Sequence, residues 1–178
     1  MSGTDGGPQP EPSETLRERV GRFLSEHRTM TLGTSGPDGT PAAAPLFYAH
    51  DEGLRLYYLS SPRSQHAANV AENGEVAVAV YGDDGDWREI RGVQMRGHAR
   101  RVTAGGYARA LRLYVAKFDF MEGLLRGDPS GIAELLGPLA RCRFYVVEPT
   151  WIRLIDNSVS FGYREEWTSP GGDGEGLG

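Results

Sequence analysis

The chain has 178 residues, 39% hydrophobic and 24% charged, with a formal net charge of -5. These values are typical of one soluble globular domain and argue against general binding of nucleic acid or of anionic membranes. Cys142 is the single cysteine, so an intramolecular disulfide is excluded and a reducing cytoplasm is the expected location. No apolar run approaches the roughly 20 residues that a membrane-spanning helix needs.

Both ends of the chain have the composition of disordered segments. Residues 1–12 are rich in Gly, Pro and acidic side chains and lack the basic-then-apolar pattern of a secretory signal. Residues 168–178 form a Gly-rich tail. The sequence therefore predicts a single folded domain over residues 13–167.

The first part of this domain predicts a helix followed by a hairpin. A capping-box pattern and apolar residues at helical intervals indicate a helix from residue 13 or 14 to about 26. Residues 28–34 and 40–48 have strand patterns and are separated by Asp38-Gly39, which is a hairpin signal. Prolines in the second of these strands, such as Pro45, cannot donate to a ladder, so that strand is expected at a sheet edge or with a bulge.

The segment of residues 54–70 predicts a strand that runs directly into a helix. Apolar and aromatic side chains fill positions 54–59, which favours a mostly buried strand. Two serines follow as N-cap residues, and Pro62 fits the first helical position, so the helix is predicted to begin there. Asn73-Gly74 is expected to end it.

This helix start is predicted to bind an anion. The backbone N–H groups of Arg63, Ser64 and Gln65 would lack intrahelical partners, and the helix dipole places partial positive charge on them. Hydroxyl and basic side chains surround the same point, so a phosphate is the expected ligand, and the alternative is an ordinary capped helix with a solvated arginine. The side chains predicted to hold the phosphate are Ser60, Ser61, Arg63, Ser64 and His66.

Two further strands are predicted after this helix. Residues 76–81 are apolar on both faces, which suits a barrel wall covered by helices or by a partner. Residues 88–102 form a long strand candidate in which Gly92 and Gly97 are expected to mark bulges or bends. Alternation places four polar side chains of this strand on one face, namely Gln94, Arg96, His98 and Arg100.

The last part of the domain combines helices with strands. Helices are predicted from Thr103 to about residue 118 and over residues 128–138. Residues 141–156 return to strand character, broken at Pro149, and the segment 159–167 is aromatic. Six turn-separated antiparallel strands without βαβ alternation favour a small closed or split barrel.

Three motifs of this chain occur together in one known family. They are Arg28-Thr-Met-Thr-Leu-Gly-Thr34 before an Asp-Gly turn, Ser60-x-x-x-Ser64-x-His66-x-x-Asn69-Val70, and Arg91-Gly-Val-Gln-Met-Arg-Gly97. They resemble the FMN-binding split-barrel superfamily typified by pyridoxamine 5'-phosphate oxidase, over about residues 16–102 and the final strand. The resemblance implies a mainly β, α+β fold: a six-stranded antiparallel split β-barrel, Greek-key-like, with flanking helices.

The resemblance also implies a cofactor site between the subunits of a homodimer. In that family, hydroxyl and basic residues of the strand-to-helix segment hold the FMN phosphate, which agrees with the anion site predicted above. For the flavin ring the resemblance points to the first two strands and to the long strand or its copy in a second subunit, with Met30, Thr31, Leu32, Ala44, Pro45, Gln94 and Arg96. Ordinary sheet packing is the alternative for each of these residues, and the better one for the apolar members.

Two departures from the family pattern bear on function. His66 stands where the family commonly has Lys, so its charge depends on pH near an unperturbed pKa of about 6.5, and the phosphate is expected to rely more on Arg63. The closing segment, residues 151–163, resembles an uncharacterised branch and lacks the substrate-binding pattern of pyridoxamine phosphate oxidases. The expected function is therefore an FMN-dependent oxidoreductase with an unknown small substrate, other than pyridoxamine 5'-phosphate oxidase itself. Hydride chemistry belongs to the flavin, so no catalytic residue is assigned.

Two alternatives remain open. One keeps the fold and replaces FMN by a deazaflavin coenzyme with a longer anionic tail, since the preference for Arg over the single Lys117 suggests a GC-rich genome. The other is a non-catalytic module that binds flavin or haem. In the haem form, His66 or His98 would be the axial ligand of the iron. The sequence has no nucleophile elbow, P-loop or clustered Cys/His metal set, so hydrolase, nucleotide triphosphatase and metal-site interpretations have no support.

Overall fold

The structure is a computed structural model that describes residues 14–82, 85–121, 139 and 141–169. The predicted N-terminal lead (1–12), the predicted helix over 128–138 and the tail from residue 170 lie outside the described residues. The helices are α1 (Leu16–Glu26), α2 (Gln65–Glu72) and α3 (Ala104–Lys117), and a short 3-10 turn covers Asp119–Met121. The strands are β1 (Thr29–Ser35), β2 (Pro41–His50), β3 (Leu56–Ser60), β4 (Glu75–Tyr81), β5 (Arg91–Arg101), β6 (Arg143–Asp156) and β7 (Arg164–Thr168).

The strands form one antiparallel sheet that closes into a barrel, as predicted. Their order is β3-β2-β1-β4-β5-β6-β7, and β3 also pairs with β6, which joins the two ends of a six-stranded set. The long strand β6 uses its first half for β3 and its second half for β7. Its outer edge is therefore divided between barrel closure and an added seventh strand, which the sequence predicted only as an aromatic segment.

Helix α1 forms for the local reasons read from the sequence. Its N-cap Thr15 accepts a hydrogen bond from the backbone N–H of Glu18, whose carboxylate accepts from the backbone N–H of Thr15 at 2.8 Å. The face of α1 that contains Val20, Phe23 and Leu24 is buried against the barrel core. The helix predicted from residue 13 or 14 to 26 is thus confirmed to within its first turn.

The expected edge position of the second strand is confirmed. Residues 41–47 of β2 pair with β1, and the pairing of β2 with β3 begins only at Tyr48. Pro45 faces Thr31 across the first of these ladders. The prolines of β2 thus lie in the part of the strand whose second side has no ladder partner among the described residues.

The pairing of β5 with β6 contains a bulge at Gly97, one of the two glycines expected to mark a bulge or bend, whereas Gly92 pairs in regular register with Tyr81 and Ile155. The register shifts between Arg96, which lies opposite Trp151, and Gly97, which lies opposite Pro149. A Cβ at Gly97 would lie 2.2 Å from the carbonyl oxygen of Glu148, so only glycine fits this close approach. The predicted break of the strand at Pro149 is wrong, because β6 continues through it and the bulge accommodates the extra residue.

The apolar side chains form two cores on opposite sides of the barrel wall. One fills the barrel and includes Leu32, Tyr58, Val78 and Met95. The other lies between α3 and the outer side of the wall, where Tyr114 and its neighbours pack. On β4 the valines are buried, whereas the alternate side chains Ala77, Ala79 and Tyr81 are half-buried or exposed. None of the described helices has the length and apolar character needed to cross a membrane.

Candidate functional site

The junction between β3 and α2 differs from the predicted helix start. The helix begins at Gln65, with Ser64 as its N-cap, and not at Pro62. Residues 61–64 form a tight turn in which the N–H of Ser64 donates to the carbonyl of Ser61 at 3.0 Å and the N–H of Arg63 donates to Ser61 Oγ at 3.2 Å. The predicted helix start is wrong because Ser61 accepts hydrogen bonds from the backbone N–H groups of Arg63 and Ser64. Fewer free N–H groups are therefore left for a ligand than the sequence indicated. The predicted end is confirmed, since Asn73 is the C-cap.

Three of the five side chains predicted for this junction lie in contact with one another. His66 Nε2 lies 2.6 Å from Ser60 Oγ and 3.1 Å from Ser64 Oγ, and the two hydroxyl oxygens are 3.0 Å apart. Ser64 Oγ also donates to the carbonyl of Ser61 at 2.9 Å. When Nε2 is unprotonated, Ser60 donates to it, and the hydroxyl protons are then used within the cluster.

Burial decides the charge of this cluster. It lowers the pKa of His66 below its ordinary value, because desolvation disfavours the imidazolium. His66 is therefore neutral at pH 7. Arg63 is exposed on the turn, and no described residue is in hydrogen-bond or ion-pair contact with its guanidinium. The cation available to a ligand at this junction is thus Arg63.

A buried polar pair fixes α2 to the barrel. Asn69 Nδ2 donates to Thr34 Oγ1 at 3.0 Å, and both residues are buried. This contact ties the face of α2 below His66 to the end of β1. Thr34 lies in the first strand, to which the resemblance points for the flavin ring, and Asn69 belongs to the strand-to-helix motif, but their contact was not predicted. An asparagine between apolar neighbours on one helix face is a signal that could have indicated it.

A shallow groove of about 300 Å³ lies on the outer face of β1, β4, β5 and β6. Its floor is made of small side chains, and Thr31, Gln94 and Arg96 line it, so three of the residues predicted for the flavin ring are brought together. The Arg96 guanidinium lies 4.4 Å from the centre of the Trp151 ring at one side of the groove. Trp151 was not predicted as a site residue because only the β5–β6 register brings it beside Arg96.

The other four residues predicted to contact the flavin ring do not line this groove. The side chains of Met30 and Leu32 are buried in the barrel core. Ala44 lies opposite Leu32 and is half-buried, whereas Pro45 is exposed opposite Thr31. Of these four side chains, Pro45 is the one exposed on the same face as Thr31.

The histidines considered for haem lie in different surroundings. His98 is exposed on β5, where its Nε2 lies 3.6 Å from Glu75 Oε1. His66 is half-buried and held by the two serines. Among the described residues, no group of three or more His, Cys, Asp or Glu side chains is arranged to hold a metal ion.

The chain matches a known protein family over most of its length. Residues 16–136 match the family model described as pyridoxamine 5'-phosphate oxidase. An uncharacterised UPF0306 protein of Klebsiella pneumoniae is 29% identical over 160 residues, which cover 89% of this chain and 97% of that protein.

Solved structures share the fold. A haem-binding protein from Mycobacterium smegmatis superposes with a TM-score of 0.69 at 16% identity, over 89% of this chain and 60% of that one. An FAD-binding protein from Mesorhizobium loti superposes with a TM-score of 0.56 at 18% identity, over 75% of this chain and 87% of that one. Structures with this architecture thus include proteins that bind a flavin and proteins that bind haem.

Proposed function

The chain belongs to the pyridoxamine 5'-phosphate oxidase family, and from this premise we propose that it is an FMN-binding flavoprotein. The observation that carries the proposal is the β3–α2 junction, where Ser60, Ser64 and His66 converge beside Arg63, whose guanidinium has no partner among the described residues. A phosphate monoester requires hydroxyl or N–H donors and a cation within reach, and this junction offers both.

The junction fits a phosphate better when His66 is protonated. Protonation turns Nε2 from an acceptor into a donor, so Ser60 no longer needs to donate to it and can turn its O–H toward a ligand. A phosphate dianion nearby favours the imidazolium, which opposes the effect of burial on the His66 pKa. Phosphate binding and proton uptake by His66 are therefore coupled in this proposal.

The groove on the outer sheet face is proposed to receive the flavin ring. Its small-residue floor leaves room for a flat ring, and the side chains of Thr31, Gln94 and Arg96 offer hydrogen bonds to the polar edge of that ring. The bound flavin would supply hydride or electron transfer to an unknown small substrate, and the protein would orient the ring and limit its contact with water. Oxidation of pyridoxamine 5'-phosphate itself is not proposed.

A second copy of the chain is proposed to cover this groove. In a single chain the outer side of β4 leaves Ala77, Ala79 and Tyr81 half-buried or exposed, next to the groove floor. Burial of this apolar face against a symmetric partner would enclose the flavin ring between subunits. Light scattering at micromolar concentration tests the arrangement, and a monomer mass would contradict it.

The phosphate assignment is tested with Arg63→Ala and two ligands. Loss of one charge-assisted contact of about 1.5 to 3 kcal/mol weakens FMN binding roughly tenfold or more, whereas riboflavin, which lacks the phosphate, binds equally well to both proteins. Arg112→Ala, at an exposed arginine on α3, is the matched control and leaves both affinities unchanged. Equal losses for FMN and riboflavin, or no flavin binding by the wild type, would refute the assignment.

The same titration distinguishes the deazaflavin alternative. A deazaflavin coenzyme with a longer anionic tail is added in competition with FMN. Tighter binding of FMN supports the FMN proposal. Displacement of FMN by the deazaflavin would instead support a deazaflavin-dependent protein.

Haem binding is the second candidate, favoured by the histidine at the junction and by the fold shared with a haem-binding protein. Coordination through His66 Nε2 would require the imidazole to leave the hydroxyls of Ser60 and Ser64. A Soret shift on addition of haemin that disappears in His66→Ala or His98→Ala would support this candidate. Haemin that leaves the Soret band of free haem unchanged would exclude it.

A further inference from the structure

A second cluster of charged side chains lies beside the first turn of α3, and the flavin proposal does not use it. The side chain of Asp51 is only 2% exposed, and its Oδ2 accepts hydrogen bonds from Arg55 Nε at 2.8 Å and from Tyr57 at 3.0 Å. Arg109 Nη2 lies 3.0 Å from the same oxygen. Oδ1 accepts from the backbone N–H groups of Gly53 and Arg55 at 2.9 and 3.1 Å.

This carboxylate is ionised and holds the two arginines in place. Burial raises the pKa of Asp51, but the hydrogen bonds from Arg55 and Tyr57 outweigh it and keep that pKa below its ordinary value. Each guanidinium has five N–H donors, and Asp51 engages only one nitrogen of each. The side chains of Arg55 and Arg109 remain 35% and 47% exposed, so their other donors are accessible.

These donors face a groove of about 310 Å³. Arg55, Arg100 and Arg109 line it, together with Thr103 and Gly105. Thr103 is the N-cap of α3, yet its hydroxyl makes no capping hydrogen bond. The groove shares no lining residue with the groove on the outer face of β1, β4, β5 and β6, and none with the β3–α2 junction.

The charges around the groove do not cancel. Asp51 balances one of its two arginines, and Glu148 pairs with Arg100 at 2.7 Å. Among the described residues of the groove, one positive charge is therefore left over, on guanidinium groups at the edge of a space large enough for a small molecule. Guanidinium groups bind carboxylates and phosphates with two parallel hydrogen bonds, as planar donors.

We propose that this groove is a second ligand site that binds the oxyanion group of a small molecule, either a phosphate or a carboxylate. Asp51 is then the internal counterion that positions Arg55 and Arg109, and the ligand occupies their remaining donors. The site is independent of the flavin site, so it does not depend on the function proposed above.

Gly105 allows a test that does not remove any arginine. A Cβ at this position meets nothing within 4 Å, and the first turn of α3 contains no acidic residue, so Gly105→Asp fits without strain and suits the helix start. The aspartate places a negative charge at the groove, and the nearly isosteric Gly105→Asn places none. Calorimetric titration with inorganic phosphate and with malonate is expected to show at least about tenfold weaker binding for Gly105→Asp and little change for Gly105→Asn.

Arginine variants identify the donors in the same titrations. Arg109→Met is expected to weaken both probes about tenfold, whereas Arg112→Met, on the same helix but not lining the groove, has no effect. Arg63→Ala tells phosphate bound at the β3–α2 junction apart from phosphate bound here. If Gly105→Asp weakens the binding of both phosphate and malonate, the groove is a general oxyanion site. If it weakens the binding of phosphate alone, the ligand is a phosphate ester. No binding by the wild type, equal affinities of the two Gly105 variants, or a loss seen only in Arg63→Ala would overturn the proposal.

Discussion

The β3–α2 junction and the Asp51 cluster use arginine in opposite ways. At the junction, Arg63 is exposed without a carboxylate partner among the described residues, and it lies three residues before a neutral His66 on α2. In the Asp51 cluster, a buried carboxylate fixes Arg55 and Arg109 and links α3 to the segment between β2 and β3. The comparison indicates that the first cation is available for binding at little expense in stability, whereas the second pair stabilises the fold before it binds anything.

The largest effect is expected from removing the internal counterion. Asp51→Asn leaves Arg55 and Arg109 beside a buried amide, and loss of one partner of a buried ionic cluster lowers the free energy of unfolding by about 3 kcal/mol. Urea denaturation measures it. Glu52→Gln, at the exposed carboxylate next in sequence, is the control and changes stability by less than about 0.5 kcal/mol. Equal stabilities of the two variants would mean that the Asp51 cluster does not support the fold.

The polar contact beneath the junction is expected to have the next largest effect. Thr34→Val leaves the buried Asn69 amide without its partner, which lowers the free energy of unfolding by about 1 to 3 kcal/mol. The double variant Thr34→Val with Asn69→Leu removes both polar groups and recovers part of this loss. A double-mutant cycle measures the coupling, and simple additivity would show that the contact does not stabilise the attachment of α2.

Lys117 differs from both arginine sites, because it is a half-buried cation with no carboxylate in hydrogen-bond or ion-pair contact among the described residues. Its Nζ donates to the carbonyl of Leu24 at 2.8 Å and lies 3.9 Å from the centre of the Tyr48 ring. Burial, with a smaller contribution from Arg28, lowers the pKa of Lys117 to about 8.

The sign of the Lys117 effect follows from proton binding. Between pH 8 and 10 the unfolded chain keeps the lysine proton and the native protein loses it, so stability rises with pH across this window. Relative to Lys117→Met, the wild type is expected to gain about 1 kcal/mol from pH 8 to pH 10, a value reduced for partial exposure. Denaturation of both proteins at the two pH values measures it, and a constant difference would contradict the lowered pKa.

The smallest effect concerns the charge of His66. Because burial lowers its pKa, the free protein gains the imidazolium only as the pH falls below the ordinary histidine range, and bound phosphate favours that form. His66→Gln is therefore expected to weaken FMN binding a few-fold more at pH 6 than at pH 8. Protonation of the FMN phosphate itself affects both proteins equally, so it cancels in the ratio of their FMN dissociation constants. A ratio independent of pH would show that His66 binds FMN only in its neutral form, if at all.

Features that depend on neighbours along the chain could be predicted from the sequence. The capping box placed α1, alternation placed the polar face of β5, and Gly97 indicated the bulge, because helical and strand periods are local properties. The same local pattern brought Ser60, Ser64 and His66 to one junction.

The charges and pairings of those residues depend on the folded chain and could not be predicted from the sequence. Burial at the folded junction lowers the pKa of His66, and the β5–β6 register sets Trp151 beside Arg96. The contact of Asp51 with Arg109 joins segments far apart in the chain. Desolvation and ion pairing depend on distances across the folded molecule, and a periodic pattern along the chain does not contain those distances.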